Sequence, residues 1–377
     1  MRAGIERQLA LLDFTLASLA RRKARNLGLL AVFALLVFLM ASVTLFTRAL
    51  RQEAAAVLAG TPEVILQRMV AGRHELVPPG YRERLGRIRG VQKVEGRLWG
   101  YYFDPVLQAN YTFMVTESAP GDGTITIGPA LARIRGLAEG GTLAFRSYTG
   151  ELRAFRIAAV LPQSTELASA DLVLVSEKDF RAFFAYPEGC FTDLAFSVAN
   201  PQEARTVAAK LVRDLPDARA ILRDDSLRTY ASLFDWREGL VLALFAGALL
   251  AFGILAWDKA SGLSAEERRE IGILKAIGWE TGDILRIKAW EGVLLCLSAF
   301  VLGYVAAYAH VFHGGAGLLE PVLKGWAVLY PRFTLTPVLD GLDLLTLLLL
   351  TCVPYTAAVL VPTWRAATTD PDSVMRS

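Results

Sequence analysis

The sequence predicts an α-helical membrane protein with four transmembrane helices and one large α+β domain outside the membrane. Three observations carry this. Four apolar runs of about 20 residues each, uncharged but for Glu291 in the third, match a hydrocarbon core of about 30 Å at about 1.5 Å per residue. A polar interval, 48–237, separates the first run from the second and holds no long apolar run of its own. Lys and Arg collect in the segments expected on one side of the bilayer. The chain is 54% hydrophobic with a net charge of +3. That charge is too small to argue for nucleic acid, and no basic run is interleaved with aromatics.

Residues 1–26 carry Arg2, Arg7, Arg21, Arg22, Lys23 and Arg25 against only Glu6 and Asp13, with Leu9, Leu12, Phe14, Leu16 and Leu19 interspersed. This pattern predicts an amphipathic helix lying on the cytoplasmic face, its basic end suited to anionic headgroups. The first span is 27–47. It is longer than the apolar stretch of about 7–15 residues in a secretory signal, and no A-x-A-like site follows it.

Within 48–237, two helix-then-strand units stand near the ends. One runs from Pro79–Ile88 into Val91–Leu98. The other places a strand at Asp193–Val198, a helix at Pro201–Val212 and a strand at Ala218–Leu222, with Asn200 as N-cap and Pro201 at the first helical position. Between them the period changes to two, and Thr124–Ile127, Leu143–Ser147, Leu152–Val160 and Leu172–Val175 read as strands separated by Gly turns. The layout predicts an α/β module interrupted by a mostly-β module.

The second span is 239–257. Ala243, Gly247 and Ala251 recur every fourth residue and form a small ridge on which another helix can pack closely in lipid. The third span, 289–309, repeats the device at Ala299, Gly303 and Ala307, and carries Glu291 near its cytoplasmic end, where a carboxylate needs a partner or the interface. Residues 310–343 form a second outer loop, in which Pro321, Pro331 and Pro337 argue against a long helix. His310 and His313 have a spacing that could serve a metal, but no nearby Cys or carboxylate pair completes a tetrahedral set. The fourth span is 344–363, with Pro354 allowing a kink, and 364–377 is a short tail.

The loop 258–288 is the most patterned stretch. Ser264-x-x-Glu267 is a capping-box start, and Glu266, Glu267 and Glu270 crowd the first turns, where the helix dipole favours negative charge. Ile271, Leu274 and Ile277 follow at helical spacing, and Gly278 is placed to end the helix. The result is a short amphipathic helix held against the membrane between two spans.

Orientation follows from short-loop charge. The N-terminal segment and the loop 258–288, with Lys259, Arg268, Arg269, Lys275, Arg286 and Lys288, outweigh the loop 310–343, which has only Lys324 and Arg332. Both termini are therefore expected in the cytoplasm and the large domain on the far side.

The letters of that loop, REIGILKAIGWETGDI followed by Glu291, resemble the corresponding loop of FtsX-like permeases, the membrane subunits of MacB-type ABC transporters. The tail PTWRAATTDPDSVMR is similar to the family's C-terminal signature at Arg365, Ala366, Pro371 and Arg376, and RRKARN resembles the end of its interfacial helix. The segment IGPALARIRGLAEGGTLAFRSYTGELRAFRIAAVLP is similar in pattern to the opening of the β-rich lobe in the family's periplasmic domain, which otherwise has porter-like βαβ units. The resemblance implies a coupling helix that docks on an ABC ATPase subunit through Glu267, Glu270, Ile271, Leu274, Lys275, Ile277 and Gly278. It implies residence in a bacterial inner membrane and a homodimer packed through the first two spans. A periplasmic adaptor is a further partner that it allows. ATP and Mg would be bound by the ATPase, a separate chain, so no cofactor is expected here.

No G-x-x-x-x-G-K-[ST], G-x-S-x-G or H-E-x-x-H occurs, so neither a Walker A loop nor these catalytic signatures are present. The expected function is that of a permease converting ATP hydrolysis elsewhere into motion of the outer domain, for export or extraction of substrate. The alternatives are a mechanical regulator of a periplasmic enzyme, with nothing transported, and a membrane-anchored binding or assembly protein without an ATPase.

Overall fold

The computed structural model describes residues 2–21, 23–229, 265–319, 328–332 and 335–368, with isolated positions between 232 and 254. The helices are α1 (Arg2–Arg21), α2 (Lys23–Ala59), α3 (Gly80–Gly86), α4 (Pro129–Arg135), α5 (Glu166–Ser169), α6 (Glu177–Phe184), α7 (Ala204–Asp214), α8 (Ala265–Ala276), α9 (Thr281–Tyr308) and α10 (Gly341–Thr368). The strands are β1 (Val64–Val70), β2 (Arg73–Glu75), β3 (Val91–Arg97), β4 (Trp99–Asp104), β5 (Ala109–Met114), β6 (Thr124–Ile127), β7 (Thr142–Arg146), β8 (Leu152–Val160), β9 (Leu172–Val175), β10 (Asp193–Val198) and β11 (Ala218–Leu222). The chain divides into two compact units, one of residues 1–49, 235–316 and 336–377, the other of residues 50–234 and 317–335.

The first unit is helical. Among the described residues three helices are long and apolar enough to cross a membrane: Asn26–Ala59, Thr281–His313 and Gly341–Val361. The expected second span, 239–257, lies outside the described residues apart from isolated helical positions. Of its ridge, Ala243 and Gly247 are helical and exposed, and Ala251 lies outside the described residues. The helices outrun their apolar runs. α2 continues from Thr47 to Ala59 because Arg48–Ala59 is rich in Ala, Leu, Arg and Glu, all strong helix formers.

Close approach holds these helices together. Ala299 and Ala307 are buried on α9, as is Gly303. A Cβ at Gly303 would lie 2.5 Å from the Ala34 carbonyl oxygen and 2.8 Å from Val37 Cβ on α2. The small ridge read from the third span is therefore a helix–helix contact. Phe33 of α2 meets Tyr355 of α10 with ring centroids 5.5 Å apart. In α10 the hydroxyls of Thr346, Thr351, Thr356 and Thr363 each donate to the carbonyl four residues back, at 2.7–2.8 Å. Lipid offers these groups no partner, so the helix supplies its own.

The second unit holds two sheets. The first has strand order β11-β1-β10-β3, with β2 added to β1. β10 is antiparallel to β1 and β3, and β1 is antiparallel to β10 and β11. The strands β1, β3, β10 and β11 thus form two interlocked split βαβ units, β1-α3-β3 and β10-α7-β11, the ferredoxin-like pattern. Both helix-then-strand units expected from the sequence are present, and Asn200 accepts from the Gln202 amide at 3.2 Å as the cap.

The second sheet, β4-β5-β9-β6-β8-β7, is built wholly from the segment between β3 and β10. The mostly-β module is therefore an insertion into one hairpin of the α/β module. The sheet coils until its two edges meet, since Tyr102 on β4 packs on Phe145 of β7 at 5.2 Å. Tyr111, Phe113, Phe155 and Phe183 complete an aromatic core. At the crossing between sheets Arg97 holds the buried Asp193 through two hydrogen bonds, 2.6 and 2.7 Å, and the Trp99 indole donates to the same carboxylate at 2.9 Å.

The segment 310–343 departs from the expected outer loop. Ala309–His313 continues α9 as a π-helical turn. Val328 and Leu329 then pack on the core of the inserted sheet, Leu335 is buried, and Arg133 on α4 donates to the Tyr330 carbonyl at 3.1 Å while pairing with Glu166 at 2.7 Å. Part of this loop therefore packs on the core of the β-rich unit.

Candidate functional site

The amphipathic loop helix and its elbow form the best-defined candidate site. α8 ends where Gly278 adopts φ +97°, a left-handed conformation that costs a residue with a Cβ. The Gly278 amide donates to the Lys275 carbonyl at 3.0 Å and the Trp279 amide to the Leu274 carbonyl at 3.1 Å, a complete Schellman closure. Two residues later α9 begins. The Glu280 backbone is extended, and its carbonyl accepts from the Asp283 and Ile284 amides at 3.0 and 3.3 Å. Thr281–Lys288 is thus one rigid helix with the third span, and only Ile277–Glu280 separates it from α8.

α8 is seated on its own chain. Ile271 is 6% exposed, whereas Ile273 and Ile277 are 51% and 68% exposed. Ile271 and Leu274 face Phe14 and Ser18 of α1 and Ile284, Ile287 and Lys288 of α9, around a remaining cavity of about 20 Å³. Trp279 packs on Phe14, and the Trp290 indole donates to Gln8 at 3.2 Å. α1 therefore does not lie alone at an interface: Leu11, Thr15 and Ser18, one helical stripe, are buried.

Of the seven positions expected to dock an ATPase, Ile271 and Leu274 point inward. Lys275 is half-buried, while Ile277 and Gly278 are exposed. The side chains of Glu267 and Glu270, and Ser264, lie outside the described residues. Ile273 was missed. It lies off the stripe on which Ile271 and Leu274 recur, and only the seating of α8 turns it outward. Charge on the first turns of α9 is paired: Lys288 donates to Glu291 at 2.6 Å, which answers the need of that carboxylate for a partner, and Arg286 meets Asp283 at 3.2 Å. Among the described residues no group of three His, Cys, Asp or Glu is gathered as a metal site. His310 instead stands 3.3 Å from the Ser42 hydroxyl.

The described residues thus combine three helices long and apolar enough to cross a membrane, a short seated helix before one of them, and a β-rich unit carrying an inserted lobe. Residues 240–371 match the FtsX-like permease C-terminal family. The macrolide export ATP-binding/permease protein MacB of Sodalis glossinidius (strain morsitans) is 24% identical over 271 residues, 67% of this chain and 38% of that protein. Over these residues the chain is similar to FtsX-like permeases and to MacB, and it spans 38% of the length of that relative. A crystal structure of the periplasmic region of MacB from Actinobacillus actinomycetemcomitans aligns with a TM-score of 0.32 at 12% identity, over 45% of this chain and 92% of that one.

Proposed function

We propose that this chain is the permease subunit of an inner-membrane ABC transporter, driven by a separate ATPase that docks on the outward face of α8. The observation that carries this reading is the seating of α8. Its inner face is anchored to α1 and α9, its outer face offers Ile273 and Ile277, and a single elbow joins it to a span-bearing helix. A push on α8 is passed directly into α9. By this reading the motion passes along the chain after α9, in which Val328, Leu329 and Tyr330 are held by the inserted sheet and Arg133. By this reading both termini are cytoplasmic, the β-rich unit is periplasmic, two copies pair, and the output is export or extraction of substrate, with an adaptor as a further partner.

The reading is tested by purifying the chain with the nucleotide-binding protein that accompanies it and measuring ATPase activity in nanodiscs. Ile273→Asp with Ile277→Asp should weaken retention of that protein by about tenfold or more, the scale of a lost hot spot, with insertion unchanged. Full retention in the double variant would remove α8 as the docking element. Reporter fusions placing 60–230 and 265–277 on the same side of the membrane would end the mechanism altogether.

A further inference from the structure

Among the described residues, one end of the α9–α10 pair leaves a shallow, open groove of about 380 Å³. Its walls are Leu285, Arg286 and Ala289 from the first turns of α9 and Leu360, Val361 and Trp364 from the last turns of α10. The volume falls in the range of about 300–1,000 Å³ that takes small ligands. The groove sits where both spans pass from apolar run to polar chain. α9 carries Asp283, Arg286, Lys288 and Glu291 there, and the apolar run of α10 ends at Thr363. This is the headgroup level of a bilayer, the preferred depth of an indole such as Trp364, which is 55% exposed.

The charged groups at this end are not equivalent. Lys288 and Glu291 neutralise each other at 2.6 Å, and Lys288 lines the cavity on the α8 side of the helix. Asp283 is largely buried and engages one Nη of Arg286 at 3.2 Å. The Arg286 side chain is still 51% exposed, on a guanidinium with five donors. Aliphatic walls alone would accept any acyl chain. A half-free guanidinium at their polar rim selects among headgroups, because it can hold a phosphodiester with two parallel hydrogen bonds.

We infer that this groove binds one anionic phospholipid, an acyl chain lying along Leu285, Ala289, Leu360 and Val361, the phosphate on Arg286 and the headgroup against Trp364. The lipid braces α9 to α10 beside the elbow. The inference is independent of whether an ATPase docks on α8.

The test uses the full chain in phosphatidylcholine nanodiscs containing a dibrominated lipid, either phosphatidylglycerol or phosphatidylcholine, with tryptophan fluorescence as readout. Trp364→Phe supplies the background of the other indoles. The Trp364 signal should be quenched at about fivefold lower mole fraction of the brominated phosphatidylglycerol, the scale of one basic side chain at an anionic surface. Arg286→Gln should abolish the preference and Arg286→Lys should keep most of it. Added inorganic phosphate should leave the preference in place; its loss there would overturn the lipid as source. Equal quenching by both lipids in the parent chain would mean annular contact only and overturn the site. Shielding of Trp364 from both lipids, with cross-linking from residue 364 to a second copy, would overturn it in favour of an interface between copies. If Arg286→Gln does not insert, the parent comparison decides.

Discussion

The ring of Trp279 lies 5.6 Å from that of Phe14, centroid to centroid, tilted by 41°. This contact fastens the residue just after the Gly278 turn to α1, so the elbow is supported from below on its own chain. α8 is consequently two-faced, with Ile271 fixed by folding and Ile273 and Ile277 exposed.

Substitutions on the two faces should separate. Ile271→Ala removes a buried side chain from the contact with α1 and α9 and should lower the stability of the helical unit by roughly 2–5 kcal/mol, measured as thermal unfolding in detergent. Ile273→Ala and Ile277→Ala should leave unfolding within about 0.5 kcal/mol of the parent. Equal destabilisation by both sets would mean that α8 is buried all round.

Gly303→Val should be among the most damaging single changes in the bundle. The first added carbon alone would stand 2.5 Å from the Ala34 carbonyl and 3.0 Å from the Phe38 amide nitrogen, both backbone atoms of α2 that cannot step aside. Overpacking of this kind typically costs about 1–3 kcal/mol or more. Gly28→Ala on the same α2, where an added Cβ meets nothing, should be tolerated. Expression level and unfolding temperature in detergent report both.

Arg48, just past the first apolar run, reaches both Asp340 and Asp343 at the start of α10. Asp340 also accepts from the Leu342 amide at 2.7 Å, and Asp343 sits in the first helical turn, where the dipole favours it. With about a third of each side chain exposed, Arg48→Ala should cost only about 1 kcal/mol at low salt. The difference between variant and parent should shrink in 1 M salt, where screening acts over about 3 Å. A salt-independent loss would assign the effect to packing of the Arg48 stem.

Two carboxylates of the β-rich unit make it acid-sensitive. Burial would raise the pKa of Asp104, but the Tyr111 hydroxyl at 2.6 Å, the Val106 amide at 2.8 Å and the Arg135 guanidinium hold it below the usual carboxylate value. The Tyr81 hydroxyl at 2.5 Å and the Arg68 guanidinium at 2.9 Å do the same for Asp217. Because the folded pKa values are depressed, the unfolded chain binds protons first as pH falls. The stability they contribute is full above about pH 4 and is lost below it. Asp104→Asn should therefore cost about 1–3 kcal/mol at pH 7 and much less at pH 3, read from unfolding of the full chain at both values.

Much of the architecture was legible locally. The apolar runs marked three helices, and the change to period two marked β6, β7, β8 and β9 within a residue or so of their ends. β4 and β5 were not read, since Trp99–Asp104 and Ala109–Met114 mix exposed aromatics with buried ones and carry no Gly punctuation between them. The candidate helix was legible from its pattern, yet which of its residues are exposed was not. Ile271 and Ile273 differ by two positions on a helix, and nothing in their own neighbourhood says which one α1 will cover.

By itself, then, the sequence determined the three long apolar helices, the strands β6 to β9 and the stop of α8 at Gly278, because hydrophobic period, turn chemistry and cap residues act over a few neighbours. Only the tertiary structure decided which strands of the lobe pair, that Val328 and Leu329 pack on its core, and that Ile271 faces inward while Ile273 faces out. Those outcomes depend on which distant surfaces bury one another, a property of the packed chain that no local window of residues carries.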